Sequence, residues 1–169
     1  MIYLIVVVVF SILIGSFLYF GNKPKIHKNI SQDDLVKYLE VLLFRGYNKG
    51  FIIIRLPKDK KFKRFLQFRK YIEDKKKVGL QFAYPLSSWS KPYYEKLKAI
   101  LKERKIKFEI EKTECEEVPE FIIIDLKKDL AMAVLLSRLI INQLYGLKSN
   151  DCVELYFENV SEEEEKIGF

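Results

Sequence analysis

One histidine, two cysteines, one tryptophan and seven glycines are all that 169 residues contain of the types most often used to build reactive sites. The lone His27 denies the chain the partnered imidazoles on which most acid–base and nucleophilic sites rely. Cys115 and Cys152 are too few for a disulfide framework, and their spacing fits neither a zinc nor a redox motif. No glycine-rich phosphate loop, dinucleotide fingerprint, nucleophile elbow or paired-histidine zinc motif occurs. Gly46 and Gly50 fit a helix stop and a turn instead. The acidic clusters, Glu114/Glu116/Glu117/Glu120 and 162–165, are runs of solvated glutamate without the contrast of environments that acid–base pairs need. The inventory therefore predicts a protein that is not an enzyme and needs no cofactor or metal.

Charge is also missing from one place. Residues 1–22 have no charged side chain, so all 30 Lys/Arg and all 23 Asp/Glu fall in the remainder. Up to Thr113 there are 25 basic against 10 acidic residues, a net of +15, and from Glu114 onward 5 against 13, a net of −8. The apolar start is long enough for a helix of roughly 31 Å, the thickness of a hydrocarbon core. A cleaved signal peptide would want preceding basic residues and a small-x-small site, whereas Gly15-Ser16 is followed by Phe17, Leu18, Tyr19 and Phe20. A retained transmembrane anchor at 1–22 is the expectation. Lys23, Lys25 and Lys28 follow it, so the positive-inside rule places the rest in the cytoplasm at a cell membrane. Residues 23–30 read as a basic juxtamembrane linker that includes His27, 31–160 as one domain and 161–169 as an acidic tail.

Within the domain, Ser31 and Asp34 resemble a capping box opening a helix whose Leu35, Leu39, Leu42 and Leu43 share a face. Phe51-Ile-Ile-Ile-Arg-Leu56 reads as a buried strand ended by Pro57. Residues 62–72 fit either of two patterns. Phe62, Phe65, Leu66 and Phe68 could form a helix face, while Leu66, Phe68 and Ile72 alternate. Because Val78, Leu80, Phe82 and Tyr84 alternate more cleanly, a β-hairpin is the preferred reading. Ser88 and Ser90 are alternative caps for a second helix ending near Arg104, with Leu97, Ile100 and Leu101 inward. Ile106, Phe108 and Ile110 mark a half-exposed strand and Phe121-Ile-Ile-Ile124 a buried one. Residues 129–145 read as an apolar helix stopped by Gly146, and Val153, Leu155 and Phe157 as a last strand. The order α-β-β-β-α-β-β-α-β predicts an α+β fold, an antiparallel sheet with packed helices.

The densest positive run is 55–77, with eleven Lys/Arg against three acids, interleaved with Phe62, Phe65, Phe68 and Tyr71. Such mixtures bind single-stranded nucleic acid when the rings are exposed. A hairpin would turn most of these rings inward, which disfavours nucleic acid. A membrane surface or an acidic partner then becomes the expected contact of Lys23, Lys25, Lys28, Lys58, Lys60, Lys61, Lys63, Arg64, Lys75, Lys76 and Lys77. The glutamates at 162–165 could fold back on this hairpin.

The segments FLQFRKYI and GLQFAYPLSSW, with their repeated Leu66-Gln67-Phe68 and Leu80-Gln81-Phe82, and the long helix after FIIID give the soluble part a resemblance. Over residues 31–145 it is similar to the type III secretion chaperone-like fold. The resemblance implies a non-enzymatic domain, often dimeric, whose sheet and helices hold another polypeptide; it implies no particular substrate. The expectation from sequence is a single-pass membrane protein with a cytoplasmic, chaperone-like or scaffold domain that binds another protein or a second copy of itself. The alternative is peripheral binding of anionic lipid or nucleic acid through the basic hairpin.

Overall fold

Leu35, Leu39, Leu42 and Leu43 are all buried, as their spacing predicts, and they seat helix α1 (Leu35–Arg45) on a β-sheet. A computed structural model describes residues 25–57, 64–73 and 77–161 of the chain. A short 3-10 turn, Gln32–Asp34, precedes α1, and the Ser31 hydroxyl accepts from Asp33 N at 3.2 Å. The expected capping box is thus a capped 3-10 lead-in. Strand β2 (Gly46–Arg55) follows α1 without a loop.

The stretch that fitted two patterns is a strand. β3 (Phe65–Glu73) and β4 (Lys77–Leu86) form an antiparallel hairpin in which Phe68 faces Phe82 and Ile72 faces Val78. Helix α2 (Lys91–Glu103) has Pro92 in its first turn, where the missing N–H costs nothing. Edge strand β5 (Glu109–Lys112) is short and exposed, and β6 (Glu120–Lys127) carries the Ile122–Ile124 run. The expected 129–145 helix is two pieces. Helix α3 (Leu130–Leu139) is capped by Asp129, whose carboxylate accepts from Met132 N at 2.8 Å, and a π-helical turn, Ile140–Leu144, follows. Gly146 then takes the left-handed φ of 73° that ends the element.

Two strands depart from the sequence reading. The segment expected as a linker contributes β1 (Lys25–Ile30), an edge strand. The last strand, β7 (Val153–Val160), is not an appendage, for it lies between β1 and β2 and pairs with both. The resulting sheet runs β1-β7-β2-β3-β4-β6-β5 and every neighbouring pair is antiparallel.

The faces of this sheet differ. The row Phe157–Ile52–Phe68–Phe82–Ile124 joins the buried residues of α1, α2 and α3 in one core. The opposite face carries the row Ile26–Tyr156–Ile53–Gln67–Ala83–Ile123–Glu109, in register across all seven strands, and no described helix covers it. Tyr156, Ile53 and Gln67 of this row are half-buried, Ala83 and Ile123 are buried, and Ile26 and Glu109 at its two ends are exposed.

Candidate functional site

Antiparallel pairing decides where the cations go. Arg64 precedes β3 and Lys77 opens β4, so the two stand at opposite ends of a nine-residue strand, about 30 Å apart at the usual rise per residue. Of the stretch expected to act as one patch, the two expected contact residues that are described, Arg64 and Lys77, thus stand at opposite ends of the sheet. Lys25 and Lys28 are exposed on β1, at the outer edge. Arg64 is half-buried and Lys77 exposed. Lys23, Lys58, Lys60, Lys61, Lys63, Lys75 and Lys76 lie outside the described residues, as do the anchor 1–22 and the glutamates at 162–165.

Other cations are gathered at one end of the sheet, where β2 and β4 begin and β3 and β6 end. A cleft of about 920 Å³ opens there. Asn48 and Lys49 of β2 form one wall, and Lys77 and Val78 of β4 another. Lys127 and the following Lys128 enter from the end of β6, and Glu109 stands at the far side. Arg69, Lys70, Tyr71, Ile72 and Glu73 run along the cleft from β3. Six of the lining side chains are basic and three acidic, Glu73, Glu109 and Asp125. Glu73 is spent in part on Lys77, 3.9 Å away. Asp125 accepts from Tyr71 Oη at 2.7 Å and from Lys127 N at 3.0 Å.

Lys70 sits on the inward side of β3, in the same alternation as Leu66 and Phe68, and is 0% exposed. Across the strands it aligns with Leu80 and then Lys127. Burial first, and the charge of Lys128 second, lower its ammonium from the ordinary lysine range to about 8. At neutral pH it is thus a cation held beneath the cleft. Sequence reasoning missed it, although its place in the 66/68/70/72 alternation was the available signal. Arg69, one position earlier, faces the open side and donates to Gln81 Oε1.

The aromatics of the basic stretch divide as well. Phe68 is in the core, but Phe65 packs against Trp89 at 5.3 Å between ring centroids, and Tyr71 reaches across the open face to Asp125. Inward burial of most of these rings does not occur, because Phe65 and Tyr71 occupy the odd positions of β3. Burial raises the Tyr71 phenol, and the hydrogen bond and charge of Asp125 raise it further.

His27 packs between Tyr38 of α1 and Phe157 of β7, with ring centroids 5.3 and 5.6 Å away. It serves as an aromatic residue of the sheet and not as a linker residue. Cys115 and Cys152 are both exposed thiols. Among the described residues no group of three or more His, Cys, Asp or Glu converges to hold a metal, and no helix is long and apolar enough to cross a membrane. Comparison with protein-family models, curated proteins and solved structures returns no match for this chain.

Proposed function

We propose that the chain is a membrane-anchored, non-enzymatic interaction domain facing the cytoplasm, that its partner surface is the open face of the sheet, and that the partner is a second copy of the same chain. The observation that carries this reading is the cross-strand row on that face, in which Ile26, Tyr156 and Ile53 present apolar or aromatic surface beside the buried Ala83 and Ile123. Phe51 stacks on Tyr156 beside it, 6.5 Å between centroids. Seven strands about 4.8 Å apart make a face about 34 Å across. At two to three side chains deep along each strand it offers on the order of 700 Å², close to the roughly 800 Å² per partner of a standard interface. Two copies anchored in one membrane also meet at raised effective concentration.

The anchor rests on the uncharged residues 1–22 and on the lysines after them. The resemblance to the secretion chaperone-like fold supports the same reading, since such domains are often dimeric. Nucleic acid is disfavoured on the open face. Arg55 and Arg69 are outnumbered there by Glu109, Asp125, Glu154 and Glu158, and Arg55 is already paired with Glu154 at 3.4 Å.

Sedimentation of the full chain in nonionic detergent tests the dimer. The expected result is a dimer that Ile53→Lys converts to a monomer of similar melting temperature. A wild-type chain that stays monomeric throughout a concentration series would sink the proposal. Alkaline carbonate extraction tests the anchor separately, with the chain expected in the pellet.

A further inference from the structure

The cleft lies at the end of the domain where Lys25, the first described residue, opens β1. Lys25 opens β1 opposite Phe157, near the finish of β7, and β7 finishes beside Gly46, at the start of β2. The cleft lies at that end of β2, β3, β4 and β6. Lys25 is only three residues past the uncharged segment, a reach of about 10 Å of extended chain. Lys70 and Ile72 lie further toward this end than Lys25 does, since Lys25 is aligned through Phe157 and Ile52 with Phe68. A chain that leaves the bilayer at residue 22 therefore turns the cleft toward the headgroups.

We propose that this cleft binds the phosphate group of an anionic phospholipid in the membrane that holds the chain, with Lys49, Lys77, Lys127 and Lys128 at its rim and Lys70 beneath it. The proposal rests on the anchor reading above. Phosphate chemistry fits the site for three reasons. Cations outnumber carboxylates among its lining groups two to one. Asp125 is committed to Tyr71 and to the Lys127 backbone, which leaves it less able to neutralise the lysines. After burial, the charge of Lys128 is the second cause that lowers the Lys70 ammonium, and an anion set between the two relieves that repulsion. An ammonium reads a phosphate as a point charge and needs no fixed geometry, which suits lysines on a rim. Arginine, which would give bidentate contacts, enters the cleft only as Arg69, and that side chain is engaged with Gln81.

The test is native mass spectrometry of the full chain released from nonionic detergent, with phosphatidylglycerol or phosphatidylcholine added, beside a Lys127→Gln/Lys128→Gln double variant. Both positions are exposed, so the variant retains its core. The wild type is expected to retain phosphatidylglycerol over phosphatidylcholine. The double variant should lose about 30-fold in phosphatidylglycerol affinity, the effect of two lysines near an anionic surface. Equal retention by variant and wild type overturns the proposal. A second arm adds inorganic phosphate alone. Competition by phosphate at concentrations matching the lipid identifies a free anion as the occupant and overturns the lipid assignment. Carbonate extraction separates the two failures. A chain released into the supernatant removes the anchor on which the lipid source depends, whereas a chain retained in the pellet without lipid preference condemns the cleft alone.

Discussion

Tyr71 Oη donates to Asp125 Oδ1 at 2.7 Å although the two residues stand on strands that do not touch. The ring of Tyr71, on β3, crosses β4 above Gly79 to reach β6. Gly79 is what makes that crossing passable. A Cβ there would meet Tyr71 Oη at 2.5 Å, Tyr71 Cζ at 2.7 Å and the Lys127 Cα at 2.8 Å. The Tyr71 ring could swing away, but the Lys127 backbone could not. Gly79→Ala is therefore expected to destabilise the domain by about 1–3 kcal/mol, the range for overpacking. Tyr71→Phe removes only the hydrogen bond to a carboxylate and should cost about 1.5–3 kcal/mol or less, given its partial exposure. Urea denaturation of these two variants, of Tyr71→Ala and of Gly79→Ala combined with Tyr71→Ala is the measurement. Without the ring the alanine should cost less, and strictly additive values would show that ring and glycine are not coupled.

Lys70 gives the domain a pH dependence of definite sign. Its folded value of about 8 lies below the roughly 10.4 of an unfolded lysine. Between those values the unfolded chain holds the extra proton, so stability rises as pH climbs through the window and is lost as pH falls toward about 8. Lys70→Met abolishes the titration while keeping an unbranched stem. The wild type should gain on Lys70→Met by up to on the order of 3 kcal/mol between neutral pH and pH near 10. Stability curves of the two proteins that run parallel over that range would show that Lys70 is not depressed.

Ser88 and Ser90 could each cap α2 in the sequence, and the structure separates them. Ser90 occupies the cap position but gives its hydroxyl elsewhere. It donates to the Pro85 carbonyl at 2.7 Å and accepts from Ser87 N at 2.8 Å, in full burial. Ser90→Ala takes this buried partner from both groups, at a cost of about 1–3 kcal/mol. Ser88 is exposed, and Ser88→Ala should change stability by about 0.5 kcal/mol or less. Equal effects in thermal denaturation would refute this assignment.

What was legible in the sequence follows from how local each signal is. The alternation of Val78, Leu80, Phe82 and Tyr84 marks a strand whichever neighbours it has, and the α1 leucines mark a helix in the same way. The place of β7 between β1 and β2 is different, because it depends on pairings with strands more than 90 residues away in sequence. β1 was hidden for a related reason: Lys-Ile-His-Lys-Asn-Ile has two isoleucines, pairs on one side only, and leaves Ile26 exposed. The candidate site suffered most. Eleven cations in 23 residues look like one surface, yet a strand of nine residues sets its ends far apart and turns Lys70 into the interior. The cleft takes Arg69, Lys70 and Lys77 from that run and adds Lys49 from β2 and Lys127 and Lys128 from the end of β6, which the run does not contain.

Tyr145 ties the most distant parts of the core together, and its hydroxyl offers the last prediction. It follows the π-helical turn and donates to the Phe65 carbonyl at 2.8 Å, with Tyr84 Oη 3.2 Å away. Burial is the main reason that both phenols are raised, Tyr84 to about 12, so neither ionises in the neutral range. Tyr145→Phe keeps the ring and its edge contact with Tyr93, 5.3 Å between centroids. It removes one hydrogen bond from the Phe65 carbonyl and leaves the Tyr84 hydroxyl without this partner, so the expected loss is about 1–3 kcal/mol. The loss should be local in character. Amide exchange ought to quicken at the start of β3 and around the π-helical turn before it does in α1, because the bond joins those two segments directly. Uniform quickening across the domain would instead mean that Tyr145 supports the core as a whole and not this one junction.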